Sequence, residues 1–210
     1  MDGLMVDTEP LAEQAWAAVL RPLGATMTPE IHSRMIGGRI DASARFVQNE
    51  FGLTMDAAEL IRRKKSTMSA LVRDGVPPMP GLFALHEAIA RRDIRWGVAT
   101  SSPRQHAVGV LTQLGLLEAC HAIAAGDEVA QGKPAPDIYL LAAERLGVNP
   151  AHCLALEDSA PGCQAAAAAG MRVVAIPNEG TKTAVFSCAD YKLNSLTAFT
   201  AHPVFQGVGR

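Results

Sequence analysis

Alternation constrains this chain most. From Pro80 onward, short apolar runs take turns with segments of helical periodicity. Leu82–Arg92 reads as a helix and Ile94–Ala99 as a strand; Pro103–Leu114 as a helix and Ala122–Ala125 as a strand. The same pairing repeats with Asp137–Leu146 and Cys153–Leu156, then with Ala160–Ala169 and Arg172–Ile176. Strands joined through helices must run parallel, and their apolar faces need helices on both sides. The expectation is an α/β core built on a doubly wound parallel sheet. In such sheets ligands bind beyond the carboxyl ends of the strands.

The stretch before Pro80 has a different pattern. Leu11–Leu23 places Ala15, Trp16, Val19, Leu20 and Leu23 at helical spacing. Pro29 is suited to open a short helix, and Ile40–Phe51 and Asp56–Asp74 read as two longer ones. Pro77, Pro78 and Pro80 crowd the junction. The expected division is residues 1–10 with 80–210 as the core domain, and residues 11–79 as a small helical domain inserted into it.

Composition excludes several function classes. Hydrophobic residues make up 49% and charged residues 19%, with a formal net charge of −2. A chain this apolar is not a disordered polyampholyte, and it offers no basic field for a phosphate backbone, so no nucleic-acid partner is expected. No apolar run reaches the ~18–20 residues of a membrane span, and the acidic first residues do not read as a signal peptide. Cys120, Cys153, Cys163 and Cys188 form no CxxC pair, which argues for reduced thiols and a cytoplasmic protein. The six histidines share no spacing, so no metal site is expected among them. Nothing demands a partner chain; a monomer or weak dimer is expected.

The chemistry sits at the strand ends. Ile94–Ala99 runs into Thr100, Ser101 and Ser102, and Cys153–Leu156 into Glu157 and Asp158. Lys133 stands between them in Gly-Lys-Pro-Ala-Pro-Asp, and Asp2 and Gly3 open the chain. Taken singly these are ordinary: a Thr-Ser-Ser caps helices, a lysine is solvated, a Glu-Asp pair faces water. Their order at successive strand ends gives them weight. Thr100 offers a hydroxyl and Ser101 an amide to phosphate oxygens. Lys133 offers a compact positive charge, Glu157 and Asp158 offer hard oxygen ligands for Mg²⁺, and Asp2 a mobile proton.

Four segments carry a resemblance: Met1-Asp2-Gly3-Leu4-Met5-Val6-Asp7-Thr8-Glu9-Pro10, Ala99-Thr100-Ser101-Ser102, Gly132-Lys133-Pro134-Ala135-Pro136-Asp137, and Leu156-Glu157-Asp158-Ser159-Ala160-Pro161-Gly162. In this order they resemble the haloacid dehalogenase-like hydrolases over nearly the whole chain, and most closely the β-phosphoglucomutase, sugar-phosphatase and pseudouridine 5′-phosphatase branch. The resemblance implies a Rossmann-like core with a helical cap, and Mg²⁺-dependent hydrolysis of a small phosphate ester. It implies that Thr100 and the Ser101 amide bind the phosphoryl group and that Lys133 neutralises it. Asp158 would ligate Mg²⁺, with Glu157 as ligand or support. Asp2 would be general acid and base, its backbone carbonyl also reaching the metal. The family's nucleophilic aspartate belongs two residues before Asp2, one position ahead of Met1, on an apolar strand at the centre of the sheet. Its absence points to an internal methionine read as the start; a true truncation and a degenerate, inactive protein are the other two readings.

The resemblance also bears on the reaction. The mutases of this branch carry a cap histidine where this sequence has Ala12, and a phosphate-binding arginine where it has Ile40. Both departures favour a phosphatase over a phosphosugar mutase. The Gly38-Arg39-Ile40-Asp41 run is similar to cap segments of sugar-phosphate phosphatases, which makes Arg39 a candidate substrate contact. A third possibility is a binding protein without turnover.

Overall fold

The computed structural model describes residues 1–35 and 40–208. The chain divides into two units, Met1–Asp7 with Pro77–Arg210, and Thr8–Val76.

Unit Thr8–Val76 is helical: α1 (Glu9–Leu20), α2 (Pro29–Ser33), α3 (Ile40–Phe51) and α4 (Ala57–Asp74). Local chemistry sets the helix starts. Thr28 Oγ1 accepts from the Ile31 amide, and an Asp56 carboxylate oxygen from the Ala58 amide. Both bonds satisfy amides that a first helical turn leaves open. The apolar stripes meet in a core holding Trp16, Leu20, Met27, Val47 and Leu60. Arg39 lies outside the described residues, so its candidacy stays where the sequence left it.

The larger unit alternates as the sequence pattern requires. In chain order it runs α5 (Leu82–Ala90), β1 (Gly97–Thr100), α6 (Arg104–Gln113), β2 (Ala122–Ala125), α7 (Asp137–Leu146), β3 (Leu154–Glu157), α8 (Ala160–Ala168), β4 (Arg172–Ala175), β5 (Tyr191–Lys192), α9 (Leu196–Ala201) and α10 (Pro203–Gln206). All strand pairs are parallel. The first strand starts three residues later than the apolar run predicts. The Ile94 amide is taken by the Ile89 carbonyl at the end of α5, which keeps Ile94 out of the ladder. The strand β5 and the last two helices were not foreseen. They are short, and tertiary contacts define them: Leu196, Phe199 and Phe205 are buried, and Arg92 donates to the Phe205, Gln206 and Val208 carbonyls.

The ladder is not continuous. It forms one sheet of order β1-β2 and another of order β3-β4-β5. Among the described residues, β1 pairs only with β2, and β3 only with β4. Between β1 and β3 lies an apolar cavity of about 460 Å³, lined among others by Met1, Leu85, Val98, Ala99, Leu154 and Leu156. Both sheets share one helix layer, in which α7 packs on β1 and β2 and touches α8. The core beneath it is fine-grained, with Ala124, Ala143, Ala155, Ala165 and Ala175 around Ile138 and Val173.

Two backbone bonds fix the chain start to this unit. The Asp7 amide donates to the Pro77 carbonyl, and the Met79 amide to the Met5 carbonyl, both at 2.8 Å.

Candidate active site

The carboxyl ends of β1 and β3 carry the site. Thr100 closes β1 and Glu157 closes β3, and they are two of the few buried polar residues. Thr100 Oγ1 accepts from the Ser102 amide at 3.1 Å, which turns the chain sharply after the strand. Gly126 lets a neighbouring loop close on this turn, since a Cβ there would collide with the Ser101 carbonyl. Ser101 itself is exposed.

Lys133 ties the two strand ends together. Its Nζ donates to the Ala99 carbonyl of β1 at 3.2 Å and to Glu157 Oε1 of β3. The ammonium also lies 5.0 Å from the centre of the Tyr139 ring. A cation this buried needs a counter-charge, and Glu157 supplies it. Burial pushes the Glu157 carboxyl up, but the Lys133 charge, the chain's amino group and the hydrogen bonds from Lys133 and Tyr139 together outweigh it and hold the group below the usual carboxylate range. Tyr139 OH (2.5 Å) and Ser159 Oγ (3.1 Å) donate to the same carboxylate. Burial, and then the Glu157 charge, pushes the Tyr139 hydroxyl well above its ordinary value, so it stays a proton donor.

Asp158 is the counter-example. Asn178 Nδ2 donates to its Oδ2 at 3.0 Å, and among the described residues no lysine or arginine pairs with it. Burial pushes its carboxyl up to about 6, with the chain's amino group opposing and the Glu157 charge adding. The same Asn178 amide donates to the Gly3 carbonyl at 3.0 Å, which brings the chain start against Asp158. Only glycine fits there. Gly3 has φ +79°, and a Cβ would collide with the Asp158 carboxylate.

Asp2 completes the group. Its carboxylate accepts from Ser102 Oγ at 2.9 Å and lies 3.1 Å from His106 Nε2. Burial pushes the Asp2 carboxyl up. The His106 contact, the chain's amino group and Ser102 outweigh that and hold it at about 2.

Thus Asp2, Thr100, Lys133, Glu157 and Asp158, far apart in sequence, stand in linked contacts at one end of the sheets. Four neighbours were not foreseen: His106, Tyr139, Ser159 and Asn178. Each of the first three lies in, or caps, the first turn of a helix that leaves this end of the sheet. That position becomes informative only once the helices are placed against the sheet. Asn178 has no comparable mark.

A divalent cation fits this donor set. Asp158 is an ionisable group with no lysine or arginine paired to it among the described residues, beside a second carboxylate. Among the described residues no three His, Cys, Asp or Glu side chains converge on one point. The family resemblance implies the Asp2 backbone carbonyl as a further donor.

A family model of haloacid dehalogenase-like hydrolases matches residues 1–170. The chain is 34% identical over 205 residues to hexitol phosphatase B of Escherichia coli (strain K12), covering 96% of this chain and 92% of that protein. It is also 34% identical over 174 residues to fructose-1-phosphate phosphatase YqaB of the same organism, covering 83% and 92%. The crystal structure of CbbY from Rhodobacter sphaeroides in complex with phosphate superposes with a TM-score of 0.73 at 30% identity, covering 94% of this chain and 92% of that one. With the alternating fold, the strand-end site and these relatives in agreement, the chain belongs to the haloacid dehalogenase-like hydrolases.

Proposed function

We propose that this chain carries the site of a Mg²⁺-dependent phosphatase acting on a small phosphorylated metabolite such as a sugar phosphate. One observation carries the reading furthest. Lys133 is a buried cation fixed between the ends of β1 and β3, a residue away from the buried Thr100 hydroxyl and from the Asp158 carboxyl. A clamp of fixed charge costs no reorganisation when a phosphoryl group arrives, which is how such sites lower barriers.

The residues divide the work. Thr100 Oγ1 and the Ser101 amide bind phosphate oxygens. Lys133 neutralises the group, and Glu157, Tyr139 and Ser159 keep that lysine in place. Asp158 and the Asp2 carbonyl would hold Mg²⁺, which when bound supplies charge neutralisation on the phosphate oxygens. Glu157 already accepts from three side chains, so it supports Lys133 before it serves the metal. Asp2, ionised at rest, takes a proton at the site. An arriving phosphate dianion favours its protonated form, and it then gives that proton to the leaving alcohol. The helical unit, Thr8–Val76, is proposed to be the cap and to select the substrate.

Sugar phosphates are proposed because two relatives are named as hexitol and fructose-1-phosphate phosphatases. The test is release of inorganic phosphate from a panel of phosphate esters. It is run on the chain, and on a form extended before Met1 by an apolar strand with aspartate two residues ahead of Asp2. Turnover abolished by EDTA, and cut by orders of magnitude in Lys133→Ala and Asp158→Asn, supports the reading. Binding of Mg²⁺ and phosphate with no turnover in either form would make the protein a phosphometabolite binder instead.

A further inference from the structure

Asp2 is held at both ends of its carboxylate by one connection. Ser102, in the turn after β1, donates from Oγ to Oδ2 at 2.9 Å. His106, in the first turn of α6, reaches Oδ1 from Nε2 at 3.1 Å. An ionised carboxylate only accepts, so the hydrogen of this contact is on Nε2.

Both holders are themselves fixed. The Ser102 amide donates to Thr100 Oγ1, and its carbonyl accepts from the Gly126 amide at 3.0 Å. The Arg104 amide that opens α6 donates to Asp127 Oδ1 at 2.9 Å. Ala107, Val110 and Leu111 bury the inner face of the same helix completely. The imidazole therefore projects from a rigid element, whereas Asp2 lies in an irregular segment next to a glycine at positive φ. Left alone, a short carboxylate there would turn freely about its own torsions. Each oxygen still keeps a second lone pair, so the two bonds orient the group without consuming it.

We propose that His106 is a positioning residue for the acid–base carboxylate: it fixes the orientation in which Asp2 exchanges its proton with the leaving group and with water. The inference rests on the proposed role of Asp2 and extends it to a residue that acts through that carboxylate. Misplacing a reacting group by about 1 Å costs on the order of 100-fold in rate, and orientation of a bound carboxylate acts on the chemical step rather than on substrate binding.

The test compares His106→Ala with His106→Gln, whose side-chain amide keeps a donor at similar reach. With p-nitrophenyl phosphate as probe, His106→Ala is expected to lower kcat by roughly 10- to 100-fold with KM changed less than about twofold. His106→Gln is expected to recover most of that loss. Crystal structures of both variants give a second readout, independent of turnover. Asp2 should lose its single side-chain orientation in His106→Ala and keep it in His106→Gln. An Asp2 carboxylate that stays in place in His106→Ala, or equal kcat losses in both variants, would overturn the proposal. If neither the unsubstituted chain nor its form extended before Met1 turns over, the functional reading is what fails, and the crystal structures alone decide on His106.

Discussion

At the scale of the residue, the site is a contest between two carboxylates that sit side by side. Glu157 has its cation, and Lys133→Ala would strand it. Removing one partner of a buried pair typically costs ~3–5 kcal/mol, so urea melts should show a loss of that order, together with a fall in kcat of at least about 100-fold. The double variant Lys133→Met/Glu157→Gln removes both charges. It is expected to regain most of the stability and none of the activity, which separates the two effects. Asp158 has no such cation, and its sign is opposite. Its folded value of about 6 lies above the ordinary 3.8. A carboxyl raised by folding lends its full stability below about pH 4 and loses it as the pH climbs through 6. A difference of about 2 units sets an upper limit of ~3 kcal/mol on the cost of ionised Asp158. Asp158→Asn is therefore expected to melt higher than the parent at pH 7.5 and level with it near pH 4. Added Mg²⁺ should raise the melting temperature of the parent increasingly above pH 6, and leave that of the variant unmoved.

At the scale of the element, what the sequence discloses depends on where the stabilising contacts come from. Ala122–Ala125 and Asp137–Leu146 stand where periodicity alone puts them, because each carries a whole apolar face through its length. Thr100, Lys133, Glu157 and Asp158 were legible for another reason: ordinary taken singly, they follow successive strands in an order that matched a family. His106 and Tyr139 were not legible, because a residue in a first helical turn looks like any other helical residue until the helix is placed against the sheet. Glycines show the same division. In α8, a Cβ on Gly162 would strike the Glu157 carboxylate, whereas in α6 a Cβ on Gly109 meets nothing within 4 Å. Gly162→Ala is expected to destabilise by roughly 1–3 kcal/mol through overpacking and to lower kcat by displacing Glu157 from Lys133. Gly109→Ala is expected to stabilise by about 0.5–1 kcal/mol, since only helix propensity changes. Paired urea melts check both.

At the scale of the whole molecule, the divided sheet is the governing feature. The strands β1 and β3 run at the edges of separate parallel sheets, each with one side of its ladder unpaired among the described residues, and an apolar cavity of about 460 Å³ lies between them. Strands buried on both faces of a parallel sheet are near-continuous apolar runs, and the family resemblance places such a strand here, ending at the nucleophilic aspartate. The extended form already described, with five apolar residues ahead of that aspartate, tests whether the cavity is the seat of this strand. Each large apolar side chain that fills the cavity contributes about 1.5–3 kcal/mol, opposed by ~1–2 kcal/mol per residue of backbone entropy. With ladder bonds to both edges at about 1 kcal/mol each, a net gain of ~3 kcal/mol is a fair expectation. For a chain of this length that is a rise of roughly 6–12 °C in Tm. Amides on the free sides of β1 and β3 should gain protection from hydrogen exchange together, because one strand would pair with both. An extension scrambled to alternate apolar with charged residues should give neither effect, since its charges would be forced into the apolar slot. If the apolar extension leaves Tm and exchange at both edges unchanged, the cavity is not a strand site.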